Sequence, residues 1–335
     1  METTTLVKPR LAFAGVGWIG RSRLQAAAES NHADIALLSD PSQACIDEAT
    51  KIAPQSKTTS SFENTINDPT IDGVVIATPS ALHKEQSVAA FEKGKAVFCQ
   101  KPLGRNLEEV TAVVEAAKKT NKLLGADFSY RYTTVFQKIL PVIRSGELGK
   151  IFGVDLKFHN AYGPDKPWFY DLELSGGGCV LDLGIHLIDL MLYALDFPEV
   201  TTVNSSLFAK GMSVKGKQEV EDYAIVSMNL ATDVTSQLAC SWNLAAGREA
   251  VIEASFYGTK GGVSLKNIAG SFYDFEGLRY WGTKTETLAS PPDNWGGRAI
   301  VNWIEKLTED TTYNTEADAF LKSAEVLDKI YGRIV

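Results

Sequence analysis

Residues 175–186 read Ser-Gly-Gly-Gly-Cys-Val-Leu-Asp-Leu-Gly-Ile-His, which places Asp182 and His186 four positions apart in an apolar run. On a helix that spacing sets both side chains on one face, so the carboxylate can orient the imidazole. An imidazole of unperturbed pKa about 6.5 can give or take a proton near neutral pH. The glycines just before it let the backbone approach another group closely. Far upstream, Gly15-Val16-Gly17-Trp18-Ile19-Gly20 is G-x-G-x-x-G. It follows an apolar strand pattern and opens a helical one. In that setting the first glycine turns the chain, the second admits a pyrophosphate, and the third packs helix on strand. The amides of this turn, from Gly15 through Trp18 and Ile19 to Gly20, would meet the phosphates. A dinucleotide site and an oriented imidazole together suit hydride transfer to or from an alcohol, because a proton must move with the hydride.

Asp40 ends the second strand pattern, about 20 residues past the fingerprint, where a carboxylate accepts hydrogen bonds from ribose hydroxyls. It would repel a 2′-phosphate, which favours NAD. Ser42, Arg21 and Arg23 leave room for NADP.

The elements that must position these groups follow from periodicity. Apolar runs at 11–14, 35–38, 74–77, 96–99 and 123–126 alternate with helical patterns at 19–30, 81–93 and 107–120. Such alternation predicts a doubly wound parallel sheet over residues 1–126. From 127 to 335 the rhythm changes. Helical patterns at 134–145, 181–195 and 316–330 accompany strand patterns at 151–159, 201–209, 223–230, 235–242 and 250–257. That is an α+β domain with a large open, mostly antiparallel sheet. A bare sheet face of that size is a liability, so a homodimer or homotetramer is expected to cover it.

Composition narrows the classes. Apolar residues make up 44% and charged residues 22% of 335 positions, ordinary values for a globular chain. A net charge of −8 advertises no nucleic-acid face. The four cysteines form no C-x-x-C or Cys/His cluster, which points to reduced thiols, a cytoplasmic setting and no metal site. No run reaches the ~18 apolar residues of a membrane span, and the first ten residues carry no signal-peptide core. Tyr162 and Trp168 sit in an aromatic, loop-like stretch that could stack on a sugar ring or pack the interior.

Four segments in order resemble the glucose–fructose oxidoreductase / inositol dehydrogenase / MocA (Gfo/Idh/MocA) family. They are the fingerprint, Thr78-Pro79-Ser80-Ala81-Leu82-His83, Cys99-Gln100-Lys101-Pro102-Leu103, and Gly176-Gly177-Gly178 with Asp182 and His186. The resemblance implies an N-terminal Rossmann domain and reversible, NAD(P)-dependent oxidation of a sugar, inositol or related polyol. It implies that Lys101 lies near the nicotinamide and the reacting hydroxyl, that Pro102 follows a cis peptide bond, and that Thr78, Pro79 and His83 flank the nicotinamide ribose. Asp182 and His186 become the substrate-site pair, with His186 as general base in oxidation and Lys101 a rival for that role. Arg131 matches an arginine just past the last Rossmann strand and is by that resemblance a candidate substrate contact. Gln100 departs from the family's Glu-Lys-Pro. Two other classes share the fingerprint. One is an NAD-dependent glycosidase that oxidises a ring hydroxyl transiently. The other is a non-catalytic NAD(P)-binding regulator, against which the intact Lys101, Asp182 and His186 argue.

Overall fold

The computed structural model describes residues 8–214 and 219–334. The chain forms two units. The first takes residues up to 104, 108–129 and 296–321; the second takes 105–107, 130–295 and the remainder from 322.

Short apolar runs bounded by turns make the first sheet. Its strands are β1 (Arg10–Ala14), β2 (Asp34–Ser39), β3 (Lys57–Thr59), β4 (Gly73–Ile76), β5 (Ala96–Cys99) and β6 (Leu124–Ala126). All pair in parallel, in the order β3-β2-β1-β4-β5-β6. Four of the five residues of β1 and all of β4 and β5 are buried, as a sheet covered on both faces requires. Crossovers run through α1 (Trp18–Ser30), α2 (Gln43–Ile52), α3 (Phe62–Asn67), α4 (Ser80–Glu92) and α5 (Leu107–Thr120). Ser42 and Ser61 cap α2 and α3 by accepting from Cys45 and Asn64 amides. Strand order reverses between β1 and β4, so a crevice opens past their carboxyl ends.

The sequence reading keeps 127–335 in one piece; the structure returns 296–321 to the first unit. The helix Arg298–Glu309 is the reason. Its Ala299, Ile300, Trp303, Ile304 and Leu307 are buried. Trp303 lies over Gly73 and Gly125, where an added Cβ would stand 2.8 and 2.6 Å from the indole. Its ring centroid is 5.7 Å from that of Phe98 on β5.

The second unit is built on nine strands: β7 (Ile151–Asn160), β8 (Val200–Ala209), β9 (Met212–Ser213), β10 (Tyr223–Leu230), β11 (Thr235–Ser241), β12 (Ala250–Gly258), β13 (Gly261–Asn267), β14 (Phe275–Trp281) and β15 (Lys284–Ala289). Their order is β15-β14-β13-β12-β7-β11-β10-β8-β9, antiparallel except where β11 runs parallel to β7. Alternation sets Val154, Leu156 and Phe158 of β7 with Ile252, Ala254 and Phe256 of β12 inside. The helices Thr134–Arg144 and Ile185–Ala194 cover that face.

The helix expected over 181–195 does not begin as an α-helix. Residues 180–184 form a π-helical turn, closed by the Ile185 amide on the Val180 carbonyl, and only then does the α-helix Ile185–Ala194 begin. Such turns recur at functional sites because they re-aim side chains. The stretch Leu172–Ala194 is also long and apolar enough, by composition, to cross a membrane, but 83% of its most apolar window is buried within the protein. It is a core element.

Candidate active site

In the first unit, the turns at the carboxyl ends of β1, β2, β4 and β5 carry the sequence-marked residues. Gly15, at φ 83°, turns the chain out of β1, and its amide donates to the Ser39 carbonyl at 2.8 Å. A Cβ on Gly15 would meet the Ala77 carbonyl oxygen at 2.5 Å, and one on Gly20 would collide with the Gly15 carbonyl. Both glycines are therefore required by the fold itself. A Cβ on Gly17 meets nothing within 4 Å. Space is left open at the position where α1 begins with no side-chain cap and no acid in its first turn. That opening, with the positive helix end behind it, suits a pyrophosphate. Trp18 is 70% exposed at the same end, beside Ile19.

The Asp40 carboxylate accepts from the Val16 amide at 2.9 Å and from the Ser42 amide at 2.8 Å. It therefore stands against the fingerprint turn. The Ser42 hydroxyl is engaged in capping α2. Arg23 does not serve a phosphate: buried, it donates from Nε to Asp127 at 2.5 Å and from Nη2 to Ser129 at 3.0 Å.

Past β4, the Thr78 hydroxyl donates to Gln86 at 2.6 Å, and Pro79 leads into α4. Past β5, Lys101 and Pro102 are joined by a cis peptide bond. Gln100 points inward, its amide donating to the Asp127 carboxylate, and Ser129 donates to the same carboxylate. Asp127 thus gathers Arg23 from the fingerprint helix and Gln100 from the turn bearing Lys101. It is a buried carboxylate that the sequence reading missed, since one Asp after a three-residue strand shows no pattern.

The second unit carries the Asp182 and His186 pair. From 180 to 192 every residue is buried except Asp182 and His186, which are half-exposed. Trp242 Nε1 donates to Asp182 Oδ2 at 3.1 Å. The His186 ring packs 4.8 Å, centroid to centroid, from Tyr130, which in turn lies 5.0 Å from Trp295. Burial pushes the Tyr130 phenol up, so it stays neutral beside the imidazole. The glycines upstream serve close packing. A Cβ on Gly178 would strike the Glu221 carbonyl, and one on Gly177 the Tyr331 hydroxyl. The buried Glu221 carboxylate accepts from the Gly178 and Val180 amides at 2.9 and 3.0 Å and from the Tyr331 hydroxyl at 2.8 Å. It anchors the start of the π turn.

Other marked residues fall elsewhere. Arg131 donates from Nε and Nη2 to the buried Asp189, at 2.7 and 2.5 Å, and lies over the Tyr193 ring. These bonds are those of a core ion pair, and burial pushes the Asp189 carboxyl up against the pull of the guanidinium. Tyr162 is exposed and donates to Glu249 at 3.1 Å. Trp168 stacks on Phe169, whose ring is edge-on to Trp242. Among the described residues no group of three or more His, Cys, Asp or Glu could hold a metal ion.

A model for the NAD-binding Rossmann fold of an oxidoreductase family matches residues 9–128, and the GFO/IDH/MocA C-terminal domain model matches 136–264. The chain belongs to the Gfo/Idh/MocA oxidoreductase family. D-glucoside 3-dehydrogenase of Escherichia coli (strain K12) is 29% identical over 205 residues, 58% of each chain. Levoglucosan dehydrogenase of Pseudarthrobacter phenanthrenivorans is 30% identical over 230 residues, 61% of this chain and 58% of that one. The chain therefore spans 58% of the length of each of these two relatives. A solved levoglucosan dehydrogenase, in complex with NADH and levoglucosan, shares the fold at a TM-score of 0.83 and 22% identity, covering 97% of both chains. The first match spans all six strands of the parallel sheet, and the second spans β7 to β12 and the start of β13.

Proposed function

We propose that this Gfo/Idh/MocA protein is an NAD(P)-dependent oxidoreductase that moves a hydride between the nicotinamide and a hydroxyl or carbonyl of a sugar, inositol or related polyol. The observation that carries this reading is the half-exposed Asp182 and His186 in an otherwise buried apolar stretch. Burying that stretch while keeping an acid and an imidazole reachable has no stability rationale. The open side of Gly17 and the placement of Asp40 fit a dinucleotide, and the named sugar dehydrogenases among its relatives support the substrate class.

A bound nicotinamide supplies the two-electron acceptor or donor. His186 takes the hydroxyl proton in oxidation and returns it in reduction. Asp182, held by the Trp242 indole, orients the imidazole and steadies its charged form. Lys101 donates to the reacting oxygen and stabilises developing negative charge. Asp40 accepts from the adenosine ribose, which favours NAD.

A panel of sugars and inositols with NAD and with NADP tests the reading by the absorbance of reduced cofactor. Turnover with at least one panel member is expected. Asp40→Ala should lower the NAD-over-NADP preference about tenfold, the worth of one charge-assisted hydrogen bond. Sugar conversion with no net reduced cofactor would instead assign the transient-oxidation glycosidase. Cofactor binding with no conversion would assign a regulator.

The outward face of the nine-stranded sheet supports a homo-oligomer. Tyr223, Ile225 and Val251 lie half-exposed there, and Tyr257 is exposed beside the Glu253–Lys157 and Glu253–Lys266 pairs. Light scattering should give at least twice the 36.4 kDa chain mass, and a monomer would remove this proposal. The reduced thiols support a cytoplasmic setting.

A further inference from the structure

His83 lies on the first turn of α4, 1% exposed, with backbone on both sides of its ring. Nδ1 is 2.7 Å from the Pro102 carbonyl oxygen, and Nε2 is 2.7 Å from the Thr78 carbonyl oxygen. A carbonyl oxygen can only accept. A neutral imidazole has a single N–H, so one of these contacts would set lone pair against lone pair. That contact would lengthen; instead the two are equally short. Only the imidazolium donates to both.

The two acceptors are the turns that matter. Thr78 lies just past β4, and Lys101 and Pro102 lie just past its neighbouring strand, β5. We infer that His83 is a positioning residue that works as an imidazolium, clasping the Lys101–Pro102 turn to the Thr78 turn and so setting where the Lys101 ammonium stands. This rests on the role given to Lys101 above.

The charges facing the ring pull in opposite senses. Burial, the largest influence, pulls its pKa below the ordinary histidine value, and Lys101 pulls the same way. The Pro102 and Thr78 carbonyls and the Glu109 carboxylate on α5 pull upward. The symmetric pair of short contacts decides for the charged form, because charge-assisted bonds are the strong ones. A charged clasp also leaves no donor spare, so the turn has one position rather than two.

The test uses the full chain with 15N-labelled histidine at about pH 7. Of the four histidines, the His83 signals are those lost in His83→Gln. If that variant does not fold, they are assigned by elimination with single Gln variants of His32, His159 and His186. Both ring nitrogens of His83 are expected at protonated shifts. One nitrogen at the unprotonated shift overturns the inference. In kinetics, His83→Gln should lose about tenfold in kcat with KM for sugar within about twofold, because a misplaced group costs rate rather than binding. An unchanged kcat in a folded His83→Gln also overturns it. Failure of the underlying reading is separate: there Lys101→Met itself leaves kcat unchanged, while the ring spectrum still reports the protonation of His83.

Discussion

His186→Ala should lower kcat by about 10² to 10⁴, the usual worth of a positioned acid–base group. Lys101→Met should cost at least about 10², since it removes a preorganised donor to the oxygen where charge develops. Neither side chain belongs to the fingerprint turn, so NAD affinity should stay within about threefold in both variants. The pair of measurements separates chemistry from folding: His186 is half-exposed, and truncating it opens no sealed cavity. The imidazole also packs on Tyr130, so a thermal scan of the alanine variant belongs beside the kinetics. Near-normal turnover in both variants would remove the assignment. An effect confined to KM would make His186 a binding group instead.

A second large effect concerns stability. Asp189→Ala should destabilise the second unit by about 3–5 kcal/mol, because it strands a buried guanidinium. The carboxylate is 1% exposed and takes both Arg131 bonds, with Ser323 donating at 3.4 Å as a third. For a unit of this size the loss is worth about 8–15 °C in Tm, read by calorimetry. Asp189→Asn keeps an acceptor and should cost less. Below the transition, KM should be unchanged, which distinguishes a core pair from the substrate contact the sequence allowed for Arg131. A Tm within about 2 °C of the parent protein would show that the pair carries little stability.

Much of this was legible in the residues, and the gaps have physical reasons. The fingerprint and the first five apolar runs could be read because parallel strands buried on both faces leave unbroken apolar stretches. Asp182 and His186 could be read because polar residues stand out in an apolar run. Asp127, Glu221 and Trp242 could not, since each acts on a partner between 27 and 60 positions away and shares no period with it. The π turn was hidden because helical spacing four apart looks the same in both geometries. β13 to β15 were missed because Lys, Thr and Gly interrupt their alternation, and neighbouring strands rather than propensity hold them. Arg23 looked like a phosphate ligand by type and place, and only its burial against Asp127 shows otherwise.

The return of residues 296–321 to the first sheet bears on the order in which the protein can be made. During synthesis, β1 to β6 leave the ribosome long before Trp303 exists to fill the space above Gly73 and Gly125. Until then that apolar hollow must wait open, so the dinucleotide half completes its core only near the end of translation. A truncated product stopping near residue 128 would hold every fingerprint residue and still lack the lid of its own interior. A fragment of that kind should be less soluble than the full chain, because one tryptophan arrives late.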